Sequence, residues 1–103
     1  MAAFRKVARV EDIPPGKMRA FDVGYSRVVI CNVDGVFHAL ADECTHDGAP
    51  ISDGRLFKEQ LVCRRHGARF NVKDGAVEAP PAIVPLETYE VKIEGDEILV
   101  AVD

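Results

Sequence analysis

Turn-forming residues recur so often along this chain that no window of a dozen residues carries a helical stripe. Asp34-Gly35, Asp74-Gly75 and Gly95-Asp96 each stand between short apolar or alternating runs. Pro14-Pro15-Gly16 stops the one stretch, residues 10–14, that could wind into a helical turn. Between the breaks, residues 18–23, 27–33 and 36–40 read as strands, and Asp34-Gly35 joins the last two as a two-residue hairpin. Leu61-Val62 and residues 69–72 are shorter candidates, and Asp74-Gly75 turns the latter back toward Ala76-Val77. Residues 88–93 alternate, with Tyr89, Val91 and Ile93 on one side and Glu90, Lys92 and Glu94 on the other. Gly95-Asp96 then leads into 97–102 and closes a hairpin. Many short strands with frequent turns predict an all-β fold, an antiparallel sandwich or small barrel.

Size and charge narrow the partners. A chain of 103 residues, 48% hydrophobic and without repeats or linkers, is expected to bury one core and form one domain over 1–103. Its 13 Lys and Arg against 17 Asp and Glu leave a net charge of -4, the wrong sign for neutralising nucleic acid or an anionic lipid surface. The longest apolar run, residues 98–102, is far short of the roughly 20 that span a membrane. No apolar segment follows the basic residues near the amino terminus, so no secretory signal is expected and the cytoplasm is the expected compartment. The three cysteines, Cys31, Cys44 and Cys63, are odd in number, and in a reducing compartment they point to metal rather than to disulfides.

Residues 41–54 and 64–67 break the strand pattern with a polar, loop-like composition. They hold Cys44-Thr45-His46 and Cys63-Arg64-Arg65-His66, separated by residues 47–62. Two such loops brought together offer two sulfurs and two ring nitrogens. That donor set suits one tetrahedral zinc, or a [2Fe-2S] core with two Cys on one iron and two His on the other. Zinc fingers place a Cys pair before a His pair on a helix, whereas the order here is Cys, His, Cys, His with no helix.

C-x-H followed at distance by C-x-x-H-G resembles the signature of the Rieske iron–sulfur family. Gly48, Pro50-Ile51 and Gly54 after the first loop are similar too, as are Gly67-Ala68-Arg69-Phe70 after the second and Ala79-Pro80-Pro81-Ala82 as a third, covering loop. The Pro85-Leu86, Tyr89-Glu90-Val91 and 94–97 pattern extends the likeness over nearly the whole chain. The resemblance implies a Rieske-like antiparallel β fold with cluster-binding loops at one end. It implies one [2Fe-2S] cluster, with Cys44 and Cys63 on the buried iron and His46 and His66 on the outer one. Gly48, Gly67, Ala68, Phe70, Pro80 and Pro81 would surround it.

Departures from the respiratory members are informative. Those carry an extra cysteine in each loop, where this chain has Ala49 and Arg64 in the corresponding stretches. They also carry a Ser and a Tyr that donate hydrogen bonds toward cluster sulfurs, where this chain has Ala68 and Phe70. Fewer donors mean a lower potential, expected within about 100 mV of the bottom of the range of roughly -150 to +300 mV that Rieske centres span. The resemblance is therefore to soluble ferredoxins, which are not themselves enzymes. Such a carrier takes electrons from a flavin-containing NAD(P)H-dependent reductase and passes them to a terminal oxygenase of the ring-hydroxylating type. Asp47, Arg64 and Arg65 would form a docking rim, although solvated loop charges give a plainer reading of these and of Asp42, Glu43 and Arg69. Two alternatives stand beside this one: the small subunit of an assimilatory NAD(P)H-dependent nitrite reductase, and a structural zinc-binding interaction module. Cys31 and His38 lie in strands and are expected to be core or surface residues rather than ligands.

Overall fold

The computed structural model describes residues 3–45, 48–64 and 67–102. Among them the strands are β1 (Ala3–Arg9), β2 (Met18–Val23), β3 (Ser26–Val33), β4 (Val36–Ala41), β5 (Arg55–Phe57), β6 (Gln60–Val62), β7 (Arg69–Asn71), β8 (Val77–Ala79), β9 (Thr88–Tyr89), β10 (Val91–Glu94) and β11 (Glu97–Val102). They form three antiparallel sheets, ordered β1-β11-β10, β2-β3-β4-β9 and β5-β6-β7-β8. The all-β expectation holds, and single 3-10 turns at Val10–Asp12 and Ile51–Asp53 are the helical pieces among the described residues.

β3 explains how three sheets make one body. Its run Val28-Val29-Ile30-Cys31 is apolar without alternation because both faces of the strand are covered. Val28 and Ile30 join Ala39, Ile98, Val100 and Val102 in a core against the β1-β11-β10 sheet. Val29 and Cys31 point the other way, into a core with Leu40 of β4 and with Leu61 and Phe70 from the β5–β8 sheet. Each such side chain stabilises the fold by roughly 1.5–3 kcal/mol when fully buried, so this one strand ties both cores together. The β3–β4 turn forms as expected: Asp34 (φ 53°) and Gly35 (φ 89°) both take positive φ, the requirement of a type I′ hairpin.

Two expectations are corrected, and two strands were not foreseen. Residues 88–93 are not one strand: Tyr89 pairs with Ala39 of the central sheet, whereas Val91 pairs with Val100 of the outer one. The chain changes sheets at Glu90, whose carbonyl accepts a hydrogen bond from Ala101 N–H (2.9 Å). At the far end of β10, Ile93 is therefore exposed rather than buried. The turn after Asp74-Gly75 leads to Val77–Ala79 rather than to Ala76-Val77. β1 and β5 carry mostly exposed side chains on short or outer strands, and no buried stripe announces them.

The layering also fixes where the polar loops lie. The central sheet leaves through Ala41, and residues 42–54 cross to β5. Residues 63–68 are the tip of the β6–β7 hairpin. The β3–β4 and β5–β6 turns gather at the opposite end, where Asp34, Lys58 and Glu59 line one cleft.

Candidate metal centre

The two Cys-containing loops are built alike. Cys44 N–H donates to the Ala49 carbonyl (2.7 Å), and Gly48 N–H donates back to the Cys44 carbonyl (2.7 Å). Cys63 N–H donates to the Ala68 carbonyl (2.8 Å), and Gly67 N–H donates back to the Cys63 carbonyl (3.1 Å). Each loop thus closes through the residues four and five positions after its cysteine. The fourth is a glycine in both, with φ +76° at Gly48 and +74° at Gly67. Left-handed backbone costs other residues about 1–2 kcal/mol, which accounts for glycine at both places.

Cys44 and Cys63 are 0% and 3% exposed, and no disulfide joins any of the three cysteines. Both lie in one core with Ile51, Leu61, Ala68, Phe70, Ala82 and Leu86. Cys31 shares that core from β3, but burial, helped by the Asp42 charge, pushes its thiol up to about 12. Cys31 stands on β3, outside the two polar loops, and shares its core with Val29, Leu40 and Leu61, so it is the core residue that was expected. The loops also meet each other: Ala49, Pro50 and Asp53 line a cleft of about 380 Å³ with Cys63 and Arg64. Two buried cysteines in one apolar core fit a group ligated by thiolates, in keeping with their soft donor chemistry. His46, Asp47, Arg65 and His66 lie outside the described residues.

The surroundings sort the remaining candidates. Ala68 and Phe70 are fully buried and present no hydroxyl to the site. Pro80 and Pro81, expected to cover the loops, are exposed, and the residue of that segment that reaches the cysteines' core is Ala82. The segment is fastened to the first loop by Thr45 Oγ1, which donates to the Val84 carbonyl (2.6 Å). Arg64 is exposed at the second loop. His38 is half-buried on β4, and desolvation and the Lys73 charge lower its pKa while Glu59 partly opposes them.

Two supports were not legible beforehand. A Cβ on Gly54 would collide with the Val62 carbonyl oxygen and stand 3.1 Å from Arg64 N, so the exit of the first connection lies against the backbone on both sides of Cys63. Asp42, read as a solvated loop charge, is buried instead. A carboxylate two residues before a candidate ligand was the signal for it, but its partners are distant in sequence.

Comparison with known proteins follows the same line. The Rieske [2Fe-2S] domain family matches residues 3–90. The "Biphenyl 2,3-dioxygenase, ferredoxin component" of Rhodococcus jostii is 41% identical over 98 residues, covering 95% of this chain and 92% of that protein. The ferredoxin of carbazole 1,9a-dioxygenase from Nocardioides aromaticivorans superposes with a TM-score of 0.91 at 32% identity, covering 95% of this chain and 96% of that one. A chain in a complex of reduced oxygenase and oxidised ferredoxin in carbazole 1,9a-dioxygenase superposes at 0.89 with 35% identity, covering 95% and 92%.

Proposed function

The chain belongs to the Rieske [2Fe-2S] domain family, and from that premise we propose that it works as the soluble ferredoxin of a multicomponent oxygenase. In this reading it accepts single electrons from a flavin-containing NAD(P)H-dependent reductase and delivers them to a terminal oxygenase of the ring-hydroxylating type. Several relatives are named as ferredoxins or as ferredoxin components of dioxygenases. The observation that carries the proposal is the pair of equivalent loops whose buried cysteines share one core and whose residues line one cleft.

Cys44 and Cys63 would hold one iron of the [2Fe-2S] cluster in the dry interior, and His46 and His66 the other. When bound, the cluster supplies a one-electron couple, and such centres span roughly -150 to +300 mV. Ala68 and Phe70 are buried and bring no side-chain hydroxyl to the site, so the couple should lie within about 100 mV of the bottom of that range. Gly48 and Gly67 let the loops turn, and the 79–86 segment packs Ala82 beneath them. Pro80, Pro81 and the exposed Ile83 and Val84 give an uncharged surface beside the first loop for a partner to cover. In the same reading Asp47, Arg64 and Arg65 would form the docking rim.

The net charge of -4 speaks against nucleic acid or anionic membrane as a partner, and no helix among the described residues is long and apolar enough to cross a membrane. Three cysteines without a disulfide suit the reducing cytoplasm. There the chain is read as one domain over 1–103.

Anaerobically purified, dithionite-reduced protein tests the reading. A visible and paramagnetic resonance spectrum of a [2Fe-2S] centre with two nitrogen donors is expected. Colourless protein with bound zinc and no acid-labile sulfide would overturn it. A midpoint above about +100 mV would overturn the low-potential assignment.

A further inference from the structure

Among the described residues two polar side chains are buried, Asn32 and Asp42, and they sit at opposite ends of the central sheet. Asn32 serves the far end: its Nδ2 donates to the Ile13 carbonyl (2.7 Å) and its Oδ1 accepts from Gly35 N–H (2.8 Å). Asp42 serves the loop end. Its Oδ1 accepts from Ser52 N–H (2.7 Å), and its Oδ2 accepts from Ser52 Oγ (2.8 Å) and Arg27 Nε (2.8 Å). Its own N–H donates to the Arg27 carbonyl (2.9 Å).

Those partners sit where they matter. Residues 42 and 52 bound the segment that carries Cys44-Thr45-His46, so one carboxylate fastens both ends of it. Ser52 belongs to the 3-10 turn Ile51–Asp53, whose Ile51 packs in the same core as Cys44 and Cys63. Arg27 anchors the carboxylate to β3. The second loop needs no such clamp, because Val62 and Arg69 pair across the ladder directly beneath it. A carboxylate with no exposed side-chain surface is costly unless its oxygens are satisfied, and here both are.

We propose that Asp42 is a positioning residue for the first ligand loop: clamped by Ser52 and Arg27, it fixes where Cys44 stands and thereby governs how tightly the chain retains its cluster. The proposal rests on the reading of Cys44 and His46 as ligands.

The test compares Asp42→Ala, Ser52→Ala and Ser52→Thr with Asn32→Ala, which removes an equally buried polar group at the other end of the fold. In holoprotein, bleaching by an iron chelator is followed at 25 °C. Asp42→Ala should bleach at least tenfold faster than the parent and Ser52→Ala severalfold faster. Ser52→Thr, which keeps both donors, should match the parent, and so should Asn32→Ala even where its melting temperature falls. If Asn32→Ala bleaches as fast as Asp42→Ala, the residue acts through general stability and the proposal fails.

Amide hydrogen exchange on cluster-free protein supplies a readout independent of the cluster. Segment 43–51 should exchange faster in Asp42→Ala and Ser52→Ala while 63–68 is unchanged. Equal loosening of both loops, or none in either variant, overturns the proposal. Colourless parent protein would count against the ferredoxin reading, and the exchange comparison would still decide the clamp.

Discussion

The two ligand loops share one hydrogen-bond scheme and differ in what stands behind it. The second is the tip of a hairpin, and the β6–β7 ladder runs straight into its closing Cys63–Ala68 bond. The first spans the gap between two sheets and leans on side chains: Asp42 with Ser52 and Arg27 at its base, and Thr45 with the Val84 carbonyl at its flank. A turn held by backbone tolerates most substitutions around it. A turn held by side chains fails when one of a few residues changes, so the first loop should be the more sensitive of two otherwise matched structures.

The largest effect should treat the loops as one. Cys44→Ala and Cys63→Ala should each abolish the visible spectrum and acid-labile sulfide, whereas Cys31→Ala, in the same core, should keep both. Next comes the place where the loops touch. Gly54→Ala drives a Cβ into backbone around Cys63, and should cost about 3 kcal/mol and lower the melting temperature by on the order of 15 °C. A shift of only a degree or two would mean the contact relaxes easily. Gly48→Ala and Gly67→Ala then sharpen the equivalence. Each forces a side chain into left-handed backbone for about 1–2 kcal/mol, and thermal melts should give closely similar losses if the turns are truly alike. Thr45→Val touches the first loop alone and should cost about 1 kcal/mol by denaturant titration.

The smallest effect lies outside both loops. Burial and Lys73 hold His38 below its ordinary value near 6.5, so the unfolded chain takes up that proton first. Its contribution is complete above about pH 6.5 and is lost as the pH falls toward the lowered folded value. Unfolding titrations at neutral and mildly acidic pH should show less acid sensitivity in His38→Gln than in the parent.

Much of this was legible from local chemistry. Asp34-Gly35 demanded its hairpin because two successive positive φ angles suit few other pairs. The Cys and His spacing carried the family because ligand geometry is written directly in residue type and distance. What escaped was long-range. Residues 88–93 alternate as one strand should, and only the partner strands reveal that the chain leaves one sheet for another at Glu90. Asp42 looks like any surface acid, since Arg27 and Ser52 are 15 and 10 residues away. Gly54 carried only a family likeness, because its need for no side chain comes from a backbone segment that meets it in space.

β3, with Val28 and Ile30 on one side and Val29 and Cys31 on the other, is a party wall between two rooms. Neither room can be emptied while the other stays furnished, since the wall cannot be half removed. Melting should therefore proceed as a single event with or without iron.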